Sequence, residues 1–166
     1  TFMKILSGIY TPTEGEIYLE GNKVEIKDPL TAKKLGITLI PQEFNLVETL
    51  AVFENIFLGG EISNKILLNK KEMKKRSKEL LKNLNVELEV EQRVEKLSVA
   101  QKQMVEIAKA IAHESKILIM DEPTTALTEY EIRTLFNLIK ELKNKGISIF
   151  FISHKLKEVK EICDRV

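Results

Sequence analysis

The chain has 166 residues and a mass of 19.0 kDa, enough for one ordinary domain to bury a core without staples. Its 43% hydrophobic and 31% charged content is globular rather than disordered, and a formal net charge of +1 gives no overall electrostatic case for nucleic acid or a membrane surface. A single cysteine, Cys163, excludes an internal disulfide and a cysteine zinc cluster. No apolar run approaches the ~18 residues needed to span a bilayer, and no signal peptide is visible.

In chain order, Phe2 to Leu6 reads as the end of a helix that Ser7-Gly8 closes. Residues 15–26 alternate around a Gly21-Asn22 turn, which predicts a β-hairpin with one buried face. Gly36 to Ile40 is a short strand running into Pro41-Gln42. From about Leu50 to Glu114 the periodicity is helical. Asn69 and Glu72 cap a helix with Met73, Leu80, Leu81 and Leu84 on its apolar face. Ser98 and Gln101 form a capping box before Met104, Ile107, Ala108 and Ile111.

After Glu114 an α/β pattern returns. Ile117 to Met120 is apolar without alternation, as suits a strand buried on both faces, and Asp121, Glu122 and Pro123 follow it. Taken alone, this is equally a strand followed by an acidic turn. In open α/β sheets, however, ligands gather at the carboxyl ends of strands. One carboxylate there can hold magnesium while its neighbour orients a proton-losing water. Thr128 and Glu131 cap a helix striped by Ile132, Leu135, Phe136, Ile139 and Leu142. Residues 147–152 form another apolar strand, with Ser153-His154 after it and a helix from Lys155. The lysine-rich run at 70–78 reads as a solvated helix face, because acidic residues balance it and no aromatics interleave. His113 stands at a helix end and calls for no role beyond that.

The order Gln42, Leu97-Ser98-Val99-Ala100-Gln101, Ile117 to Glu122 and His154 resembles the ATP-binding cassette (ABC) family: glutamine loop, signature, Walker B with its glutamate, and switch histidine. The resemblance runs from Thr1 to Val166. It implies an α/β fold: a P-loop NTPase (RecA-like) core with an antiparallel β-hairpin and a helical subdomain. Residues 1–43 and 115–166 would supply the core and 44–114 the helical part. Val99-Ala100 in place of two glycines, and Ala126-Leu127-Thr128 where most cassettes carry an aspartate at position 128, resemble the amino-terminal cassette of monosaccharide importers of the ribose, galactose and xylose type.

By the same resemblance, Glu122 and His154 are catalytic, and ATP contacts Thr1, Gln42, Ser98, Val99, Ala100 and Gln101. Magnesium is held at Asp121, Gln42 and Thr1. Ser98 also offers a helix N-terminus that attracts anions, and would meet ATP bound to an opposing cassette. The implied cofactors are ATP and Mg2+. The implied partners are transmembrane permease subunits, a second cassette in the same chain or a dimer mate, and indirectly a periplasmic or lipid-anchored sugar-binding protein, with no nucleic acid. The place of work would be the cytoplasmic face of the membrane. The other expectations are a noncatalytic regulatory cassette and a soluble non-transporter cassette ATPase.

No Gly-x-x-x-x-Gly-Lys-Ser/Thr motif occurs in the sequence, and Thr1 matches the last residue of such a motif. The expectation is therefore a chain incomplete at both ends. Without the phosphate cradle it should neither bind ATP tightly nor hydrolyse it alone, since each lost charge-stabilising donor costs ~10²–10³ in rate.

Overall fold

The computed structural model describes residues 1–64 and 67–166. The first elements are α1 (Phe2–Leu6), β1 (Ile17–Leu19), β2 (Asn22–Val24), α2 (Pro29–Lys34), β3 (Ile37–Ile40) and α3 (Val52–Ile56). Then come β4 (Ser63–Asn64), β5 (Leu67–Leu68), α4 (Lys70–Asn83), α5 (Val99–Ala112), β6 (Ile117–Asp121), α6 (Glu129–Asn144), β7 (Ser148–Ile152) and α7 (Leu156–Ile162).

The unbroken apolar runs become a parallel sheet of order β3-β6-β7. Its register aligns Ile40 with Met120 and Met120 with Phe151, and Asp121 with Ile152. Side chains alternate across the sheet, so each strand feeds two cores. Leu118 and Met120 join Ile40 in a core with Met104, Ile107 and Ala108 of α5 and Leu135, Phe136, Ile139 and Leu142 of α6. Ile119 joins Ile37 in a second core with Leu6 of α1, Ala32 of α2 and Ile26 beyond the hairpin. Leu118, Ile119 and Met120 are fully buried, at ~1.5–3 kcal/mol of stabilisation for each such side chain. The middle strand is thereby held from both sides, and whatever leaves its carboxyl end is firmly placed.

Local rules account for the helices. The Asn69 side chain accepts from the Glu72 amide, and the Ser98/Gln101 and Thr128/Glu131 capping boxes are both formed. Met73, Leu81 and Leu84 are buried, while Lys70, Lys74 and Arg76 pair with Glu54, Glu91 and Glu72 on the solvated side.

Two sequence expectations need correction, and one helix had no expectation at all. The hairpin turn is Glu20-Gly21, not Gly21-Asn22: Leu19 pairs with Asn22, and both turn residues have positive φ (51° and 82°), as the twist of a two-residue hairpin demands. The stretch 50–114 is not helical throughout. α3 ends at Ile56, Gly59 takes φ 78°, and β4 pairs antiparallel with β5. Between α4 and α5 the chain runs through turns at 84–85 and 90–91 and a 3-10 turn, Val94–Lys96, and pairs Arg93 with Ala51. Finally, α2 was not anticipated; Asp28 starts it by accepting from the Thr31 amide at 2.7 Å, with Pro29 at the first helical position.

Candidate active site at the carboxyl edge of the sheet

Because β3, β6 and β7 are parallel, their carboxyl ends share one edge. Gln42, the Asp121-Glu122 pair and His154 all leave the sheet there. This edge is where ligands bind in open α/β folds.

Glu122 extends the ladder by one residue: its amide donates to the Ile152 carbonyl at 3.0 Å. Its φ of 48° is left-handed, uncommon for a residue with a side chain and a form of strain that collects at functional sites. Its carboxylate lies between two partners. His154 Nδ1 stands 3.4 Å from Oε1, and the Thr125 hydroxyl donates to Oε2 at 3.3 Å. The His154 side chain is 63% exposed and that of Glu122 29%, so the pair is open to a ligand while the carboxylate is partly withdrawn from solvent. Asp121 is half-buried as the last residue of β6.

Behind the pair sits Glu158 of α7, buried at 8% exposure. It accepts from the Thr124 hydroxyl at 2.6 Å and from the Ser153 hydroxyl at 2.8 Å, and its other oxygen lies 3.1 Å from Lys155 Nζ. Burial pushes this carboxyl up, but donation from Thr124, Ser153 and Lys155 outweighs burial and holds it below the usual glutamate range.

Among the described residues, the remaining ones named from sequence make no hydrogen bond to the Glu122–His154 pair. Gln42 is exposed two residues beyond β3, and among the described residues no hydrogen bond joins it to Glu122 or His154. Thr1 precedes α1 without a side-chain capping bond, and Phe2 meets Phe150 of β7 edge-on at 6.0 Å between ring centres. Ser98 and Gln101 bond each other, with Ser98 Oγ accepting from the Gln101 amide at 3.2 Å and Gln101 Oε1 from the Ser98 amide at 2.9 Å. Val99 and Ala100 form the first turn of α5, whose 14 residues span about 21 Å. The far end of α5 delivers the chain to the start of β6. Glu122 and His154 are thus brought into contact, Asp121 and Gln42 share their edge, and Ser98 and Gln101 bond each other rather than this pair. Sequence reasoning missed Thr125, Thr124, Ser153 and Glu158. Only the hydroxyl residues that follow Glu122 and precede His154 hinted at them.

Among the described residues no three histidine, cysteine, aspartate or glutamate side chains converge as a metal site. A magnesium ion carried on phosphates needs only one or two protein carboxylates, so the Asp121-Glu122 pair has suitable donor chemistry for one.

The three-stranded parallel sheet, with paired carboxylates ending its middle strand and a histidine after the neighbouring strand, has the architecture of a P-loop NTPase type of fold. The profile of the family described as ABC transporter matches residues 1–125, and the chain belongs to that family. It is 47% identical over 168 residues to a ribose import ATP-binding protein of Clostridium perfringens, covering 100% of this chain and 34% of that one. It is 49% identical over 166 residues to a putative ribose/galactose/methyl galactoside import ATP-binding protein of Agrobacterium fabrum, covering 100% and 33%. The chain thus spans about a third of the length of the curated relatives it matches. Among solved structures, a nucleotide-free ATP-binding cassette from an ABC transporter superposes with a TM-score of 0.84 at 25% identity, covering 98% of this chain and 68% of that one. A dimeric cassette, MJ0796, in a post-hydrolysis state bound to ADP and Pi gives 0.74 at 28% identity, covering 95% and 70%.

Proposed function

We propose that this chain is part of the ATPase of a bacterial monosaccharide importer and contributes the hydrolytic edge of an ATP site. The observation that carries the reading is the Glu122–His154 pair at the carboxyl edge of a parallel sheet, in a chain whose relatives are named for ribose and galactose import. Glu122 orients and deprotonates the water that attacks the γ-phosphate. His154 lies beside Glu122 and donates a ring N–H to a γ-phosphate oxygen. Asp121 would hold the magnesium ion together with Gln42 and Thr1, and the ion when bound neutralises developing phosphate charge. Ser98 and Gln101 cap the start of α5, where the Val99 and Ala100 amides of the first turn are suited to phosphate, and these four residues serve the ATP of a facing cassette; a relative of this fold is described as dimeric.

In this reading the cassette works at the cytoplasmic face of the membrane, bound to permease subunits that an external sugar-binding protein supplies. No helix among the described residues is long and apolar enough to cross a membrane. The test is ATP turnover by the full natural polypeptide that carries residues 1–166, reconstituted with its permease in vesicles. Turnover stimulated by a pentose- or hexose-loaded binding protein supports the reading. Turnover indifferent to permease and sugar contradicts it.

A further inference from the structure

Glu158 stands four residues beyond His154 on the first turns of α7, where a glutamate ordinarily serves the helix itself. Here it does not. The helix has no side-chain cap, and the Lys155 amide is taken instead by Ser153 Oγ at 3.1 Å. Both hydroxyl bonds of Glu158 go sideways and meet on a single atom, Oε2. Thr124 belongs to the turn just after Glu122, and Ser153 immediately precedes His154. One buried carboxylate oxygen therefore ties the loop leaving β6 to the loop leaving β7, and the two site residues are carried on those same loops.

The sheet alone does not fix this spacing. The ladder between β6 and β7 ends with the Glu122 amide on the Ile152 carbonyl, and past that point, among the described residues, the hydrogen bonds relating one loop to the other run through side chains. A carboxylate accepting from neutral hydroxyls makes bonds roughly twice as strong as neutral pairs, and burial keeps water from competing.

We propose that Glu158 is a positioning residue, a clamp that sets the separation of Glu122 and His154 by holding Thr124 and Ser153 on one oxygen. As a statement about catalysis it rests on the ATPase reading above; as a statement about the loops it does not. Glu158→Gln keeps a carbonyl oxygen able to accept both hydroxyls, whereas Glu158→Leu keeps the bulk and removes the acceptor.

The experiment compares these two variants, Thr124→Val and the Glu158→Leu/Thr124→Val double variant with the unaltered protein, in the full natural polypeptide assembled with its permease. It reads kcat and KM for ATP, together with amide hydrogen exchange in the segments around 121–125 and 152–155. Glu158→Leu is expected to lower kcat by about 10- to 100-fold, as small misplacements of reacting groups do, with KM within about twofold. Exchange should quicken in those two segments and not elsewhere. Glu158→Gln should retain most of the turnover and the exchange protection, and Thr124→Val should add little on top of Glu158→Leu. Unchanged kcat and unchanged exchange in Glu158→Leu overturn the clamp, as does quickened exchange spread over the whole chain, or a Gln variant as damaged as the Leu variant. If the unaltered protein turns over no ATP while Glu158→Leu still loosens only the two loops, the ATPase reading fails and the clamp stands.

Discussion

His154 Nδ1 lies 3.4 Å from Glu122 Oε1, a contact made by the register of two parallel strands rather than by nearness in sequence. Asp121 is level with Ile152, so one further residue on β6 and two on β7 bring these side chains face to face. If the imidazole positions the carboxylate and a phosphate oxygen, His154→Ala should lower the hydrolytic rate by about 10²–10⁴ while ATP binding persists. Single-turnover kinetics alongside nucleotide-binding titration checks this. A histidine that merely terminates a strand would leave the rate unchanged.

Glu106 gives a pH signature separate from catalysis. It is buried on α5 and accepts from the Asn45 amide at 2.7 Å. Burial pushes its carboxyl up from the ordinary 4.5, against smaller opposing effects of Lys109 and that amide. The folded state therefore holds this proton more tightly than the unfolded chain. Its contribution is most favourable below the ordinary carboxyl range and is lost as pH rises through the folded value. Glu106→Gln keeps an acceptor for Asn45 and removes the titration. Thermal unfolding followed upward from acid should show the variant gaining on the unaltered protein as pH rises; parallel curves would count against a desolvated carboxyl.

The capping box at Ser98 separates two roles. Ser98→Ala removes the acceptor for the Gln101 amide and should cost about 0.5–2 kcal/mol of stability in denaturant unfolding without any ligand present. Ser98→Thr should restore most of that. A serine serving only a nucleotide would show no such loss.

Gly8 is a backbone requirement. It closes α1 at φ +74°, and an added Cβ would fall 2.3 Å from the carbonyl oxygen of Asp28, the residue that caps α2. Gly8→Ala should cost more than the ~1–2 kcal/mol of a left-handed alanine, because the close atom is rigid backbone. Equilibrium unfolding of the two proteins measures the difference.

What was legible in the sequence was what depends on near neighbours. Ser98 with Gln101, Thr128 with Glu131 and Asn69 with Glu72 each announce a helix start within four residues, and the apolar run at 117–120 announces a strand buried on both faces. The carboxyl-edge position of Asp121, Glu122, Gln42 and His154 followed from strand order. Non-local pairing was not legible. Glu158 reads as one more charge on a short amphipathic helix, and only folding brings it to Thr124. The return of Arg93 to Ala51 and the small β4–β5 pair likewise carry no periodic signal, since they are too short to have a period. At the hairpin, Glu20 in a left-handed conformation defeated the more usual expectation of an asparagine there.

The most direct test of the account is ATP turnover after Glu122→Gln in the full natural polypeptide that carries this chain. The substitution keeps size and hydrogen bonding but removes the base. Nucleotide should then bind at undiminished affinity while hydrolysis slows by about 10²–10⁴. A variant that binds ATP and hydrolyses it at the unaltered rate would contradict the account.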